Sequence, residues 1–165
     1  MLKAEYSRGN WRNVIFFLST LLIVFFDQFS KIWIRSNLGV GRSLPETGFF
    51  RLTHVRNTGV AFGLFQDQSF LLTVAAFTGI GVVLLFVFLF PRYLPFLTAK
   101  KSKLALGLVI GGTIGNLLDR LRFGYVTDFM DVSIWPVFNV ADASITVGAI
   151  LLAYFFFSST KDGDY

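Results

Sequence analysis

Two aspartates, Asp128 and Asp142, are the residues whose type and setting best fit a chemical role in this otherwise strongly apolar chain. If their carboxyl groups meet, both cannot ionise cheaply, so one proton is shared between them. The ionised acid can then activate water while its protonated partner donates to a carbonyl oxygen. Such a pair would hydrolyse a peptide bond without a metal ion or a covalent intermediate.

Each aspartate also has a plain structural explanation. Asp128 lies in the connection between two apolar runs, where an acid is common in a turn or at a helix cap. Asp142 lies at the start of the last apolar run, where the helix macrodipole favours an acid. Asp131 is a third acid in the same turn and competes for the chemical role. Spacing alone therefore leaves the paired site as one hypothesis.

Composition places the chain in a membrane. Of its 165 residues, 54% are hydrophobic and 15% are charged, whereas soluble domains have about 45–50% and about 25%. The mean hydropathy is +0.63. Since a span needs roughly 20 residues, the length allows about four spans and no second large domain. The net charge of +5 fits attraction to anionic lipid headgroups better than nucleic-acid binding, because there is no basic stripe interleaved with aromatics.

Four apolar runs predict spans at about residues 14–34, 70–90, 104–119 and 140–157. The first run follows a basic segment but precedes no small-residue cleavage site, so we interpret it as a retained span. The second stops at Pro91. We predict an all-α integral membrane protein, with residues 1–165 forming a single four-helix bundle domain.

The segment between the first two spans, at about residues 35–68, is expected to fold outside the membrane. Phe49–Val55 is rich in aromatic and β-branched residues and is bounded by Pro45, Gly48 and Asn57-Thr58-Gly59, which predicts a short strand within a small β-sheet subdomain. The single histidine, His54, is interpreted as part of one polar face of this strand. It leaves no histidine pair for a metal, and the absence of cysteine excludes disulfides and thiolate sites.

Several polar and small residues within the spans are expected to have structural roles. Asp27 and Lys31 are four apart with the acid first, the order that favours an intrahelical ion pair. Asp119 and Arg120 are adjacent and point in different directions on a helix, so we expect them to have separate partners. Four glycines of the third span predict close approach of another helix. They are Gly107, Gly111 and Gly115, with Gly112 beside them.

Five motifs occur in order along nearly the whole chain. They are Asp27-Gln28-x-x-Lys31, Arg56-Asn57-Thr58-Gly59-Val60-Ala61-Phe62-Gly63, Gly112-x-x-Gly115-Asn116-x-x-Asp119-Arg120, Val126-Thr127-Asp128-Phe129 and Phe138-Asn139-x-Ala141-Asp142. Together they closely resemble signal peptidase II, also called lipoprotein signal peptidase, a family of bacterial membrane aspartyl proteases. Thr127 is a mild variation at a position where valine is common.

The resemblance implies that Asp128 and Asp142 are the catalytic pair. It further implies a set of residues that bind substrate or support the site: Asp27, Lys31, Asn57, Gly59, Asn116, Asp119, Arg120 and Asn139. The expected substrate is a prolipoprotein, cut on the N-terminal side of an S-diacylglyceryl cysteine. Membrane lipids are further expected partners, and nucleic acid, a metal and a cofactor are not. We expect a monomer in the bacterial inner membrane, with its active site near the extracytoplasmic face.

Other classes of function stay open on the residues alone. An ion-coupled transporter could use the charged residues of the spans as a relay, although they cluster towards one surface. A non-catalytic assembly subunit could be held by the glycine face. A Ser-Lys protease would need Lys31 as its base, but no serine lies in a recognisable motif opposite it.

The basic residues of the short loops predict that both termini are cytoplasmic. Eight of them lie on the side of the termini, against six in a longer stretch on the other side. We expect Arg51 and Asp128 to lie outside and Lys3 and Lys161 inside, so an impermeant thiol reagent applied to intact cells should label an Arg51→Cys variant of this cysteine-free chain but not Lys3→Cys or Lys161→Cys. Labelling at positions 3 and 161 but not at 51 would reverse the orientation.

Overall fold

The computed structural model describes residues 2–59, 67–89 and 95–161. Within them, four helices are long and apolar enough to cross a membrane, which confirms the predicted fold class. They are α1 (Leu2–Asn37), α2 (Ser69–Leu89), α3 (Lys100–Phe123) and α4 (Val140–Lys161), and a short 3-10 helix at Pro95–Thr98 precedes α3. Val60–Gly63 of the second motif, and the predicted end of the second span at Phe90 and Pro91, lie outside the described residues.

A three-stranded antiparallel sheet joins two connections that are far apart in sequence. Its strands are β1 (Ser43–Leu44), β2 (Arg51–Asn57) and β3 (Val126–Asp131), in the order β1-β2-β3. The sequence had predicted a sheet only between the first two spans, with Asp128 and Asp131 in a turn, and this placement was wrong. The sequence of β3 lacks the alternation of apolar and polar residues that predicts a strand, because its polar side chains are buried against polar partners instead of facing solvent.

Helix α3 lies at the centre of the bundle and packs against the other three helices. A methyl group placed on Gly111 would lie 2.9 Å from the carbonyl oxygen of Thr20 in α1, and one placed on Gly112 would meet the carbonyl oxygen of Ala141 in α4. The predicted glycine face is therefore confirmed, and it serves two neighbours on two sides of α3. Such close contact drives helix association in lipid, where apolar burial gives no net gain.

The C-terminal parts of α1 and α3 bond to β3 through Arg35 and Asp119, and the start of α4 bonds to it through Asn139; we call this the site end of the bundle. Gly124 ends α3 in the left-handed conformation, with φ 76° and its N–H bound to the carbonyl of Arg120 at 2.9 Å. Glycine adopts this conformation without strain. The chain then runs through β3 and folds back, because the carbonyl of Phe138 accepts the N–H groups of Phe129 and Met130. This return brings the start of α4 beside β3.

The close approach of α1 to α3 is testable at Gly107, where a methyl group would lie 2.8 Å from the carbonyl oxygen of Phe16 and would overlap Ser19. We expect Gly107→Ala to destabilise the protein by about 1–3 kcal/mol, the usual cost of overpacking, and to lower the Tm in detergent. Gly79→Ala on α2 is the matched control, since a methyl group there meets no atom within 4 Å in the described structure. Equal Tm values for the two variants would contradict the packing described here.

Candidate active site

A cluster of charged side chains lies buried at the site end of the bundle. The Lys31 ammonium lies 2.9 Å from Oδ2 of Asp27 and 3.7 Å from Oδ2 of Asp119, and all three side chains are fully buried. The predicted intrahelical pair is therefore confirmed, with a third member from α3. Arg35 adds a second cation, 3.3 Å from Oδ1 of Asp119. Two cations thus face two acids, which balances charges that would be very costly to bury alone.

Asp27 also ties α1 to the other two helices of the cluster. Its Oδ1 accepts the backbone N–H of Ala141, in the first turn of α4, at 3.0 Å. On the α3 side, a methyl group at Gly115 would come within 2.5 Å of Asp27 Oδ2, so only glycine leaves room for this carboxylate. Gln28 donates to the carbonyl of Gly115 at 3.0 Å. The carboxylate of Asp27 therefore fixes the position at which α4 begins.

Asp119 and Arg120 have separate partners, as predicted. Asp119 accepts the backbone N–H of Thr127 at 2.9 Å, which attaches β3 to the charged cluster. Arg120 instead donates to the carbonyl of Gly59 at 3.2 Å. The hydroxyl of Thr127 accepts a hydrogen bond from Arg35 at 2.9 Å, so threonine at this position gives the guanidinium a partner that valine could not.

Arg35 is the member of the charged cluster that sequence reasoning missed, since it was counted only as a loop charge. It lies four residues after Lys31 and eight after Asp27. Helical residues at these spacings share a face. That periodicity was the available signal.

Asn139 and Asp142 form a reciprocal cap at the start of α4. The side-chain oxygen of Asn139 accepts the N–H of Asp142 at 2.9 Å, and Oδ2 of Asp142 accepts the N–H of Asn139 at 3.1 Å. This is the geometry of a capping box. Asp142 therefore does lie at a helix N-terminus, as its structural explanation required. Its side chain has a further contact, because its Oδ1 accepts a hydrogen bond from Asn116 at 2.8 Å.

Asn139 brings the two aspartates together. While its backbone N–H binds Asp142, its side-chain amide donates to Oδ1 of Asp128 at 2.7 Å. The other oxygen of Asp128 accepts from Asn57 of β2 at 2.8 Å. Two residues fourteen apart in sequence, on β3 and α4, thus share one fully buried asparagine.

Burial raises the pKa of Asp128 from its ordinary value of 3.8 to about 7, and the negative charge of Asp142 adds to the rise. The hydrogen bonds from Asn57 and Asn139 act in the opposite direction without cancelling it. One proton can therefore be held at this pair near neutral pH, which is the condition for one acid to donate while the other accepts.

A pocket of about 400 Å³ opens onto the pair. Six of the sequence-predicted site residues line it: Asn57, Gly59, Asn116, Arg120, Asp128 and Asp142. The other four, Asp27, Lys31, Asp119 and Asn139, lie behind this wall and are fully buried. Arg120 Nε is buried without a hydrogen-bond partner among the described residues, so its N–H is available to donate to a ligand.

The rest of the pocket wall is mostly apolar, and sequence reasoning did not find it. It consists of Leu72, Val126, Trp135, Pro136, Val137, Phe138, Ile145 and Thr146. Val126 and Phe138 belong to two of the motifs, but the others carried no signal, because apolar side chains are ordinary in spans and their neighbours. An apolar wall facing polar groups suits an amphipathic ligand.

Asp131 and His54 lie elsewhere. Asp131 forms an ion pair with Arg51 at 2.7 Å, and the N–H of Ser133 lowers its pKa, with further contributions from Thr53 and Arg51. His54 is buried on β2, with Nδ1 2.6 Å from the carbonyl oxygen of Leu38. Neither side chain lines the pocket.

Comparison with known proteins assigns the chain to a family. The family model described as Signal peptidase (SPase) II matches residues 19–158. A lipoprotein signal peptidase of Dehalococcoides mccartyi is 45% identical over 93% of this chain and 96% of its own length, and one of Moorella thermoacetica is 46% identical over 84% and 90%. Among solved structures, a bacterial membrane enzyme determined by the in meso method is similar, with a TM-score of 0.78 and 28% identity over 90% of this chain and 91% of the other.

Proposed function

We propose that Asp128 and Asp142 are the catalytic pair of this protein, which belongs to the signal peptidase II family. Members of this family are bacterial multi-pass membrane proteases that cleave lipoprotein signal peptides. The observation that carries this proposal is the shared contact with Asn139, which bonds to Asp128 at 2.7 Å and to Asp142 at 3.1 Å. Both acids also line one pocket. The enzyme is then an aspartic endopeptidase.

In the proposed mechanism, one carboxylate takes a proton from water as the water oxygen attacks the carbonyl carbon of the scissile bond. The protonated partner gives its proton to the carbonyl oxygen, producing a neutral tetrahedral diol. As the diol collapses, the C–N bond breaks, and the leaving nitrogen takes the proton that came from water. The diol returns the other proton to its acid, so the pair is ready for another turnover. Since Asp128 has the raised pKa, we assign it as the acid and Asp142 as the base.

The pocket suits the proposed substrate, a prolipoprotein cut on the N-terminal side of an S-diacylglyceryl cysteine. Its wall includes Leu72 from α2 and Ile145 from α4, so it reaches residues of two membrane spans. A substrate can then arrive from within the bilayer while its acyl chains stay in apolar surroundings. Arg120 and Asn57 offer donors to the peptide backbone. We place this site near the extracytoplasmic face, where water is available.

Family membership favours a protease over an ion-coupled transporter or an assembly subunit. Three of the charged residues that had suggested a relay, Asp27, Lys31 and Asp119, are instead paired with one another at the site end, with Lys31 2.9 Å from Asp27 and 3.7 Å from Asp119. The glycine face serves packing within the bundle, since Gly111 and Gly112 contact α1 and α4 of the same chain.

We expect Asp128→Asn and Asp142→Asn each to lower cleavage of a lipidated peptide by several orders of magnitude, while the proteins remain folded and membrane-inserted. An amide has nearly the same shape as the acid but cannot carry the proton. Residues that act as one unit lose activity together, so the double variant should be little worse than either single one. Asp131→Asn is the matched control and should stay close to the parental rate. Near-parental turnover in either single variant would refute the aspartic mechanism.

The rate should depend on pH in a bell shape. Asp128, with a pKa of about 7, is protonated below that pH and ionised above it. As pH rises through about 7 the pair loses its one proton, so kcat should fall; in acid both carboxyls are protonated and kcat should fall again. The apparent values belong to the pair. A kcat profile that stays flat from neutral to alkaline pH would contradict this assignment.

We expect the peptide with diacylglyceryl on its cysteine to be cut far better than the same peptide without lipid. Burying acyl chains contributes about 0.8 kcal/mol per methylene, which the enzyme can use to position the scissile bond. The measurement compares kcat/KM for the two peptides in the same detergent micelles. Equal values would show that the lipid does not contribute to substrate recognition. They would not bear on the catalytic pair, which the aspartate variants test.

A further inference from the structure

The hydrogen bonds around the two aspartates have a fixed direction. An amide can be turned around without changing its shape, but its oxygen must face any group that can only donate. The side-chain oxygen of Asn139 accepts the backbone N–H of Asp142, and that of Asn57 accepts the backbone N–H of Gly59, each at 2.9 Å. Both NH2 groups must therefore point at Asp128, the acceptor on their other side.

Asn116 differs from these two asparagines, because its strongest orienting donor is a charged side chain. Its Oδ1 accepts from the Lys31 ammonium at 2.8 Å and from the NH2 of Asn139 at 3.1 Å. The bond from the ammonium is shorter and charge-assisted, and so it is the stronger of the two. The NH2 of Asn116 is thereby turned towards Asp142, whose Oδ1 accepts from it at 2.8 Å.

Lys31 is a costly residue to keep at this place. Its side chain is fully buried and does not line the pocket, so it cannot touch the substrate. A buried ion pair of this kind is often no more stabilising than apolar residues of the same volume. If the only task of the Lys31–Asp27 pair were to hold α1 in place, Lys31 would not need to contact Asn116.

We infer, on the basis of the proposed function, that Lys31 is a positioning residue of the reaction: through the amide of Asn116 it holds Asp142 as the ionised member of the catalytic pair. The bond from Asn116 to Asp142 is strongest when this carboxylate is charged. Loss of the ammonium weakens the hold on the amide and reduces its polarisation, so Asp142 is left with a poorer donor.

Other charged groups also face Asp142, and the design of a test has to take them into account. Arg120 on α3 attracts its charge, and Asp128 on β3 repels it. Asp27 of α1 lies behind Ala141, one residue before Asp142. A test has to remove Lys31 without leaving Asp27 as an unpaired buried acid, since breaking only one side of a buried pair is strongly destabilising.

The test variant is Lys31→Met combined with Asp27→Asn, which removes both charges at once. Asparagine at position 27 can still accept the N–H of Ala141, and Asp119 keeps its ion pair with Arg35. The destabilised control is Gly107→Ala, at a packing contact with α1 remote from the pocket lining. For each protein we would measure the Tm, and kcat and KM for the lipidated peptide across pH.

We expect the double variant to lose kcat by up to about 100-fold, with little change in KM. The acid limb of its kcat profile should move to higher pH, because the Asn116 amide that donates to Asp142 has lost the ammonium that orients it. Gly107→Ala should lower the Tm and leave the acid limb at its parental position. A purely structural role for Lys31 would give the double variant the behaviour of this control.

A parental kcat and acid limb in the double variant would overturn the inference. If the double variant does not fold, Asn116→Leu decides: it removes the N–H that faces Asp142 without adding a charge, and it leaves Lys31 its carboxylate partners Asp27 and Asp119. An upward shift of its acid limb would support the inference, and an unmoved limb would overturn it. The proposed function is judged separately, because it depends on whether the Asp128→Asn and Asp142→Asn variants lose cleavage.

Discussion

Polar side chains at the site end of the bundle have to satisfy one another, because hydrocarbon offers no hydrogen-bond partner. The ammonium of Lys31, fully buried, is the clearest case: it needs Asp27, Asp119 and Asn116 around it. Those partners come from α1 and α3, and Asp27 reaches α4 as well. Meeting this one requirement therefore sets how three helices come together. The glycines of α3 make it possible, since the cluster forms only where backbones approach closely.

The start of α4 and the geometry of the site depend on the same bonds. The cap between Asn139 and Asp142 satisfies backbone groups that any helix terminus leaves open. In this protein the cap also orients the two acids, because Asn139 reaches Asp128 with its remaining donors. A capping residue is held tightly by its helix, so the acids gain a rigid support. Stability and the proposed catalysis are thus joined in one set of contacts.

The small sheet is part of the site and not an appendage to the bundle. Pairing of β2 with β3 sets Val55 opposite Asp128 and brings Asn57 within 2.8 Å of its carboxyl group. On the other side, β3 is attached to the charged cluster through Thr127 and Asp119 at 2.9 Å. Asp128 is thereby buried between sheet and helices, and this burial is the main cause of its raised pKa.

Hydrophobic runs and helical spacing are local signals, and they were enough to predict the membrane class, four spans, the Asp27–Lys31 pair and the glycine face. Its motifs also indicated the family. Three features became visible only in the folded chain: the connection holding Asp128 is a strand, Arg35 joins the buried charges, and Asp131 faces Arg51 instead of the pocket. These features depend on contacts between residues about 80 apart in the sequence. Such contacts form because buried polar groups must find hydrogen-bond partners, and a local sequence pattern does not show which distant group the partner will be.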